Sequence, residues 1–246
     1  EASAKAKDLV AMAVAKVKTH RPLHLSPVPV VQKALVVGGG AAGLTAALSL
    51  AEQGYETFVV EKEAELGGRL RFLRYSLEGD DLQIFLLGLL QKVREHPLIK
   101  IYTRARVEDF GGHQGHFVTT ISVGEAGREH VRRTVRLEHG VVIVATGTEE
   151  NRPREYLLGQ DPRVLTNTEF EQLMAASPAV AQAYGQVVFI QCVGSRNAER
   201  PYCSRVCCSH SLKNALRLKA SSPGTDVFVL FRDLRAYGFL EHYYRQ

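Results

Sequence analysis

Two groups of residues in this 246-residue chain are spaced for chemistry. The first is Gly38-Gly39-Gly40-Ala41-Ala42-Gly43, a G-x-G-x-x-G run between a β-rich stretch and a helical one. That context is what a dinucleotide pyrophosphate needs. Gly38 makes the tight turn, Gly40 lets the backbone approach the phosphates, and Gly43 allows close helix and strand packing. Ala41 and Ala42 complete the loop, and the start of the helix that follows offers unpaired N–H groups to the anion. Glu61 ends the second strand, 23 positions after Gly38, where a carboxylate accepts hydrogen bonds from ribose hydroxyls and repels a 2′-phosphate.

The second group is Cys192, Cys203, Cys207 and Cys208, spaced C-x10-C-x3-C-C and containing all four cysteines of the chain. Four thiolates suit an iron–sulfur cluster or a structural zinc. No C-x2-C knuckle is present, and adjacent cysteines point apart, which disfavours a disulfide. The spacing favours the cluster, with zinc and redox thiols as the open alternatives. The loop comes after an apolar run, 187–193, where a second dinucleotide-binding unit would carry its phosphate glycines. Gly194 is the only glycine there, so a standard nicotinamide site is not expected on this half.

Ordered elements must position both groups. Residues 4–18 carry Leu9, Val10, Ala13, Val14 and Val17 on one helical stripe, without Trp or Phe, which predicts packing against a protein rather than a membrane surface. Three prolines make 20–29 an extended linker. A strand at 33–37, a helix at 44–53 and a strand at 55–60 form a βαβ unit. Residues 117–123 and 132–137 alternate as a hairpin around a turn at 124–127, and 141–145 reads as a strand buried on both faces. A helix at 170–184, a strand at 187–193, a helix at 209–219 and a strand at 226–232 form a second βαβ unit. The fold class is α/β. The divisions expected are 1–30, helix and linker; 31–180, a dinucleotide-binding domain with an inserted hairpin; and 181–246, a partial second Rossmann-like domain. A fold ending there exposes a sheet edge, so the chain is expected to be part of a longer subunit or to need a partner, and to be inactive alone.

Composition narrows the class. Apolar residues make up 45%, enough for a core, and the net charge of +5 is spread without single-sign blocks. Disorder and nucleic-acid binding are not expected. No apolar run reaches the ~18 residues of a membrane span, so no direct membrane insertion is expected and the location read is cytoplasmic. The basic balance suits docking to acidic electron carriers.

The stretch Glu61-Lys62-Glu63-Ala64-Glu65-Leu66-Gly67-Gly68-Arg69 resembles the two-dinucleotide-domain flavoproteins, and Ala145-Thr146-Gly147 resembles their second signature. That resemblance implies FAD rather than NAD, with Lys62, Gly67, Gly68, Arg69, Ala145, Thr146 and Gly147 around it and Val107 beside the adenine. Arg69-Leu70-Arg71-Phe72 lacks the redox cysteine pair of the disulfide-reductase branch, so a flavin-adjacent dithiol is not expected.

Further on, Gln191-Cys192-Val193-Gly194-Ser195-Arg196, Pro201-Tyr202-Cys203-Ser204-Arg205-Val206-Cys207-Cys208 and Leu212-Lys213-Asn214-Ala215 resemble the A-type subunit of heterodisulfide reductase. The stretches Phe231-Arg232-Asp233-Leu234-Arg235, Tyr237-Gly238-Phe239 and 241–244 are similar to the downstream segment of that family. The resemblance implies an oxidoreductase subunit that passes electrons between FAD and a [4Fe–4S] cluster within a multi-subunit complex, in some members with flavin-based electron bifurcation. Partners implied are the other subunits and electron-carrier proteins. The four cysteines then match the cluster ligands, and Lys213 matches a lysine that reaches the flavin, where an ammonium stabilises the anion formed on reduction. Arg196 and Arg205 read either as positive charge around the cluster or as surface residues. The nine histidines lie at no ligand spacing and are assigned no chemistry. Two other readings stay open: a zinc-stabilised scaffold that keeps the fold, and an NAD(P)H-dependent thiol oxidoreductase.

Overall fold

The computed structural model describes residues 2–22, 27–125, 128–177, 179 and 183–246, without the side chains of 128–131. The chain divides into two units, 1–30 and 31–246. In the first, helix α1 (Ala2–Thr19) buries none of its residues, and its apolar stripe is exposed. Part of the expected linker, 23–26, lies outside the described residues.

The second unit opens with the expected βαβ crossover. Strand β1 (Lys33–Val37) and strand β2 (Glu56–Val60) pair in parallel around helix α2 (Ala41–Glu52). The helix begins three residues earlier than the sequence suggests, because Gly40 is extended and acts as its N-cap (φ −81°, ψ −176°). Helix α3 (Leu82–Glu95) was not anticipated. Its signals are nonetheless present: the Asp81 carboxylate accepts the N–H groups of Gln83 and Ile84, and Leu86, Leu89 and Val93 form the buried stripe. It leads to strand β3 (Ile99–Tyr102), parallel to β2.

The hairpin forms the β5–β6 pair of a three-stranded antiparallel sheet, β4 (Ala105–His113), β5 (His116–Glu125) and β6 (Arg128–His139), in the order β4-β5-β6. Of its turn, 126–127 lie outside the described residues. Strand β7 (Val141–Val144) then returns beside β1, giving the parallel order β3-β2-β1-β7. The expectation that this strand is buried on both faces is corrected: among the described residues it pairs with β1 alone, at the sheet edge, and Val141 and Val144 are 47% and 73% exposed. Leu35, Phe58, Ile121 and Leu137 make the core between the two sheets.

In the remainder, strand β8 (Gln186–Ile190), helix α5 (Cys207–Ser221) and strand β9 (Asp226–Leu230) make a second parallel crossover. Helix α4 (Asn167–Ala176) starts at a capping box between Thr166 and Glu169 and packs Phe170 and Met174 on Phe189 and Leu218. It is shorter than expected; of the stretch to 184, residues 178 and 180–182 lie outside the described residues. Although α4 precedes position 180, it packs on β8 and α5, and 31–246 forms one compact unit. Strand β8 stops short of 193, and the chain turns at Cys192, which has a left-handed φ of +61°.

Candidate functional site

The sequence-predicted cofactor residues gather at the C-terminal ends of β1, β2 and β7. Gly38 has φ +112°, and a Cβ there would overlap the carbonyl of Ala145. A Cβ on Gly43 would overlap the carbonyl oxygen of Gly38. Around Gly40, by contrast, nothing lies within 4 Å of a Cβ position, so the backbone at the start of α2 faces open space with Ala41 and Ala42 in the first helical turn. The loop is therefore closed on the protein side and open on the ligand side, which fits a pyrophosphate.

The second glycine pair lies on the first. Gly67 N–H donates to the Gly39 carbonyl at 2.7 Å, and a Cβ on Gly68 would come within 3.1 Å of the Gly40 Cα. Both have left-handed φ, +106° and +49°, so two sequence-distant glycine segments share one surface. Glu61 is buried, and its two oxygens accept from Gly39 N–H at 2.6 Å and Glu63 N–H at 2.8 Å. Each oxygen keeps a second lone pair for a ribose hydroxyl. Ala145 N–H donates to Val37, which places Ala145-Thr146-Gly147 against the turn, Gly147 at φ +68°. Lys62 pairs with Glu149 at 2.8 Å on the surface. Arg69 donates to Thr168 at 3.0 Å, and Thr168 donates to Glu150. Val107 is exposed on β4, just beyond Ala105, whose N–H donates to the Glu61 carbonyl.

The cysteines lie at the corresponding end of β8. Cys207 and Cys208 open α5, and burial, together with the neighbouring Cys207 and Cys192 thiols, pushes the Cys208 thiol up despite a backbone hydrogen bond involving Arg235. Cys203 Sγ accepts Arg205 N–H at 3.3 Å, and Ser204 Oγ donates to Cys207 Sγ at 3.5 Å. Arg196, ion-paired with Asp233, brings Nη1 to 3.9 Å from Cys192 Sγ. Among the described residues, no three His, Cys, Asp or Glu side chains are placed to hold a single metal ion. The donor set fits an iron–sulfur cluster by its chemistry: four thiols, free of disulfides, on one loop and one helix start, with a guanidinium beside them.

Lys213 lies one helical turn and a half into α5, buried. Its Nζ donates to Glu171 Oε2 and to the Tyr75 carbonyl, both at 2.8 Å, and sits 4.9 Å from the centre of the Tyr75 ring. Glu171, with 0% exposure, was invisible in the sequence because it stands among the ordinary polar residues of a helix, Thr168, Glu169 and Gln172, and its partners are distant in the chain. It also receives His210 Nε2 at 2.7 Å on Oε2, and the N–H groups of Arg74 and Tyr75 on Oε1. Burial works to raise its pKa, and the bonds from His210, Lys213 and Arg74 outweigh it and hold the carboxyl at about 2. Burial and the Glu171 charge push the Tyr75 phenol up, while its O–H donates to Asn214 Oδ1 at 3.1 Å. His210, unpartnered at sequence spacing, thus meets its carboxylate through the fold, 39 positions away. A 690 Å³ pocket is lined by Tyr75 together with Arg74 and Arg217, and shares no residue with the glycine loops.

Comparison with known proteins agrees with the glycine cradle. Residues 33–73 match the FAD binding domain family. The chain is 31% identical to the A-type subunit of H(2):CoB-CoM heterodisulfide,ferredoxin reductase of Methanothermobacter marburgensis, over 99% of this chain and 50% of that protein. It is 31% identical to the second A-type iron-sulfur subunit of CoB--CoM heterodisulfide reductase of Methanopyrus kandleri, over 100% of this chain and 50% of that protein. The chain therefore spans about half the length of the curated relatives it matches. Those alignments run over 330 residues against 246 here, so the relatives carry residues inside the matched region that have no counterpart in this chain. Among solved structures, L-proline dehydrogenase from P. horikoshii aligns over 90% of this chain and 40% of its own, with 17% identity and a TM-score of 0.46.

Proposed function

We propose that this chain, a homologue of the heterodisulfide reductase A-type subunits along nearly its whole length, is an oxidoreductase subunit that carries electrons between FAD and a [4Fe–4S] cluster. The observation that carries the reading is the juxtaposition, in one compact unit, of a glycine cradle closed by Glu61 and the Gly67-Gly68 pair with a loop of four thiols where a second phosphate loop would stand.

Bound FAD would supply one- and two-electron redox chemistry. Gly40 and the first turn of α2 would take its pyrophosphate through backbone N–H groups. Glu61 would take ribose hydroxyls with the lone pairs left by Gly39 and Glu63, while Val107 offers an apolar surface at the β4 end. Gly67 and Gly68 would keep the second glycine segment pressed against Gly39 and Gly40, where a Cβ would meet Arg71, Leu86 or the Gly40 Cα, and so support the cradle from behind. Lys213, with its Nζ held by Glu171 and the Tyr75 carbonyl, would be the group whose ammonium compensates negative charge gained on reduction. Cys192, Cys203, Cys207 and Cys208 would be the cluster ligands, with Arg196 as a nearby cation. The cofactor set suits a reducing compartment such as the cytoplasm, and no described helix is long and apolar enough to cross a membrane. Other subunits of a heterodisulfide-reductase-like complex, and carrier proteins, would be donors and acceptors; electron bifurcation would need two such acceptors.

Anaerobic purification with flavin, iron and sulfide analysis tests the reading. FAD with about four iron and four sulfide per chain, and an absorbance shoulder bleached by dithionite, is expected. Zinc without iron, or flavin bleached by NAD(P)H alone, would replace it with one of the two other readings.

A further inference from the structure

Gln191 is 93% buried, and among the described residues neither its Nε2 nor its Oε1 has a hydrogen-bond partner. An amide left in that state costs several kcal/mol on transfer scales, so buried orphan amides are rare and point to a missing partner. Its backbone is conventionally held, N–H donating to Leu230, which continues the β8–β9 pairing by one residue. Strand alternation puts its side chain on the same face as buried Phe189, which packs against α4 and α5. One step beyond Phe189 along that face is the C-terminal end of β8, the end at which α5 begins with Cys207 and Cys208. The next residue is Cys192, whose left-handed turn carries the chain into the cysteine loop.

From this placement we propose that Gln191 Nε2–H donates a hydrogen bond to a sulfur of the cluster or of its thiolate ligands and thereby raises the cluster's reduction potential. The inference rests on the cluster reading above. A donor to sulfur stabilises the reduced state more, because reduction adds negative charge there. Hydrogen bonds to charged acceptors are strong, and the part of that strength gained on reduction is expected to be about a tenfold change in the redox equilibrium. The flavin is an alternative acceptor for a buried amide. Adjacency to Cys192 favours the cluster, and the experiment separates the two.

The test uses the full chain with its cofactors, comparing wild type, Gln191→Leu and Gln191→Glu by potentiometric titration, the cluster followed by electron paramagnetic resonance and the flavin by absorbance. Gln191→Leu is expected to keep iron and FAD and to disfavour cluster reduction roughly tenfold, which is about 59 mV for one electron, with the flavin midpoint unmoved. Gln191→Glu, which keeps the shape and loses the donor, is expected to move the cluster at least as far in the same direction, and it serves if the leucine variant fails to load. A cluster midpoint unchanged in the loaded variants would overturn the proposal, as would a shift confined to the flavin. Thermal stabilisation of Gln191→Leu without a change in potential would likewise overturn it, since removing a merely structural orphan does that. Wild-type protein without iron would overturn the cluster reading itself, and this proposal with it.

Discussion

The loops after β1 and after β8 occupy equivalent places in two βαβ units and are built in opposite ways. The first is made of backbone: glycine stands at its left-handed turn, Gly38, where a Cβ would overlap the Ala145 carbonyl, and at Gly43, where a Cβ would overlap the Gly38 carbonyl. Its strand is central, with Ala34, Leu35 and Val36 fully buried. The second is made of side chains. Cys192, Arg196 and Arg205 all adopt left-handed φ without being glycine, at +61°, +56° and +62°. The strands that carry it form a two-stranded sheet whose outward residues, Val188, Ile190, Phe228 and Leu230, stay exposed. A loop that binds through its backbone is specified by the fold alone. A loop that presents thiols accepts strain and weak support, which a bound group offsets by stabilising the folded form.

That contrast predicts its largest effect at Gly43. Gly43→Val places atoms on the Gly38 carbonyl, so flavin affinity is expected to fall by at least about a hundredfold, near 3 kcal/mol, with a lowered melting temperature. Flavin retained on gel filtration would break the account of the first loop. In the second loop, Cys207→Ser is expected to lose most of the iron while keeping FAD, because one ligand is removed and the glycine cradle is untouched. Full iron with normal FAD would show that Cys207 is not a ligand.

Glu171 ties the segment after Gly67-Gly68 to helix α5, through Arg74 and Tyr75 on one side and His210 and Lys213 on the other. Its folded pKa near 2 lies below the ordinary value of 4.5. A depressed carboxyl stabilises the fold above the unfolded pKa and loses that contribution as pH falls through the folded one, here between about pH 4.5 and 2. At about 1.4 kcal/mol per unit, roughly 3 kcal/mol is at stake. Glu171→Gln is expected to lower stability at pH 7 by about that much and to flatten the acid limb of a stability profile. An unchanged acid limb would remove Glu171 as the tie.

How much of this was legible depended on whether partners were near in sequence. The glycine run, Glu61 and the crossover strands have period and spacing, and β1 matches its expected limits, 33–37, residue for residue. Helix α3 carries its cap and its apolar stripe within its own fourteen residues and the one before them, so it was legible in principle although not anticipated. Glu171, His210 and Tyr75 could not be read as a set, since they meet only through packing across 96 and 39 positions. The exposure of β7 depended on a sheet neighbour that a local apolar run does not report.

The smallest effect gives the sharpest test, because its sign should differ between the loops. At Arg205 the side chain is exposed, and the backbone N–H, which any residue retains, makes the contact to Cys203. A left-handed non-glycine residue costs about 1 kcal/mol or somewhat more, while glycine costs about 0.5–1 kcal/mol in unfolded-chain entropy. Arg205→Gly should therefore leave stability unchanged or raise it by up to about 1 kcal/mol, a shift of about 2–4 °C at most for a unit of this size, with iron content unaltered. Placed beside Gly43→Val, it asks whether backbone strain in the cysteine loop is merely tolerated. A drop in melting temperature or in iron for Arg205→Gly would mean that the arginine side chain itself supports the loop, and that the two loops differ less than their backbones suggest.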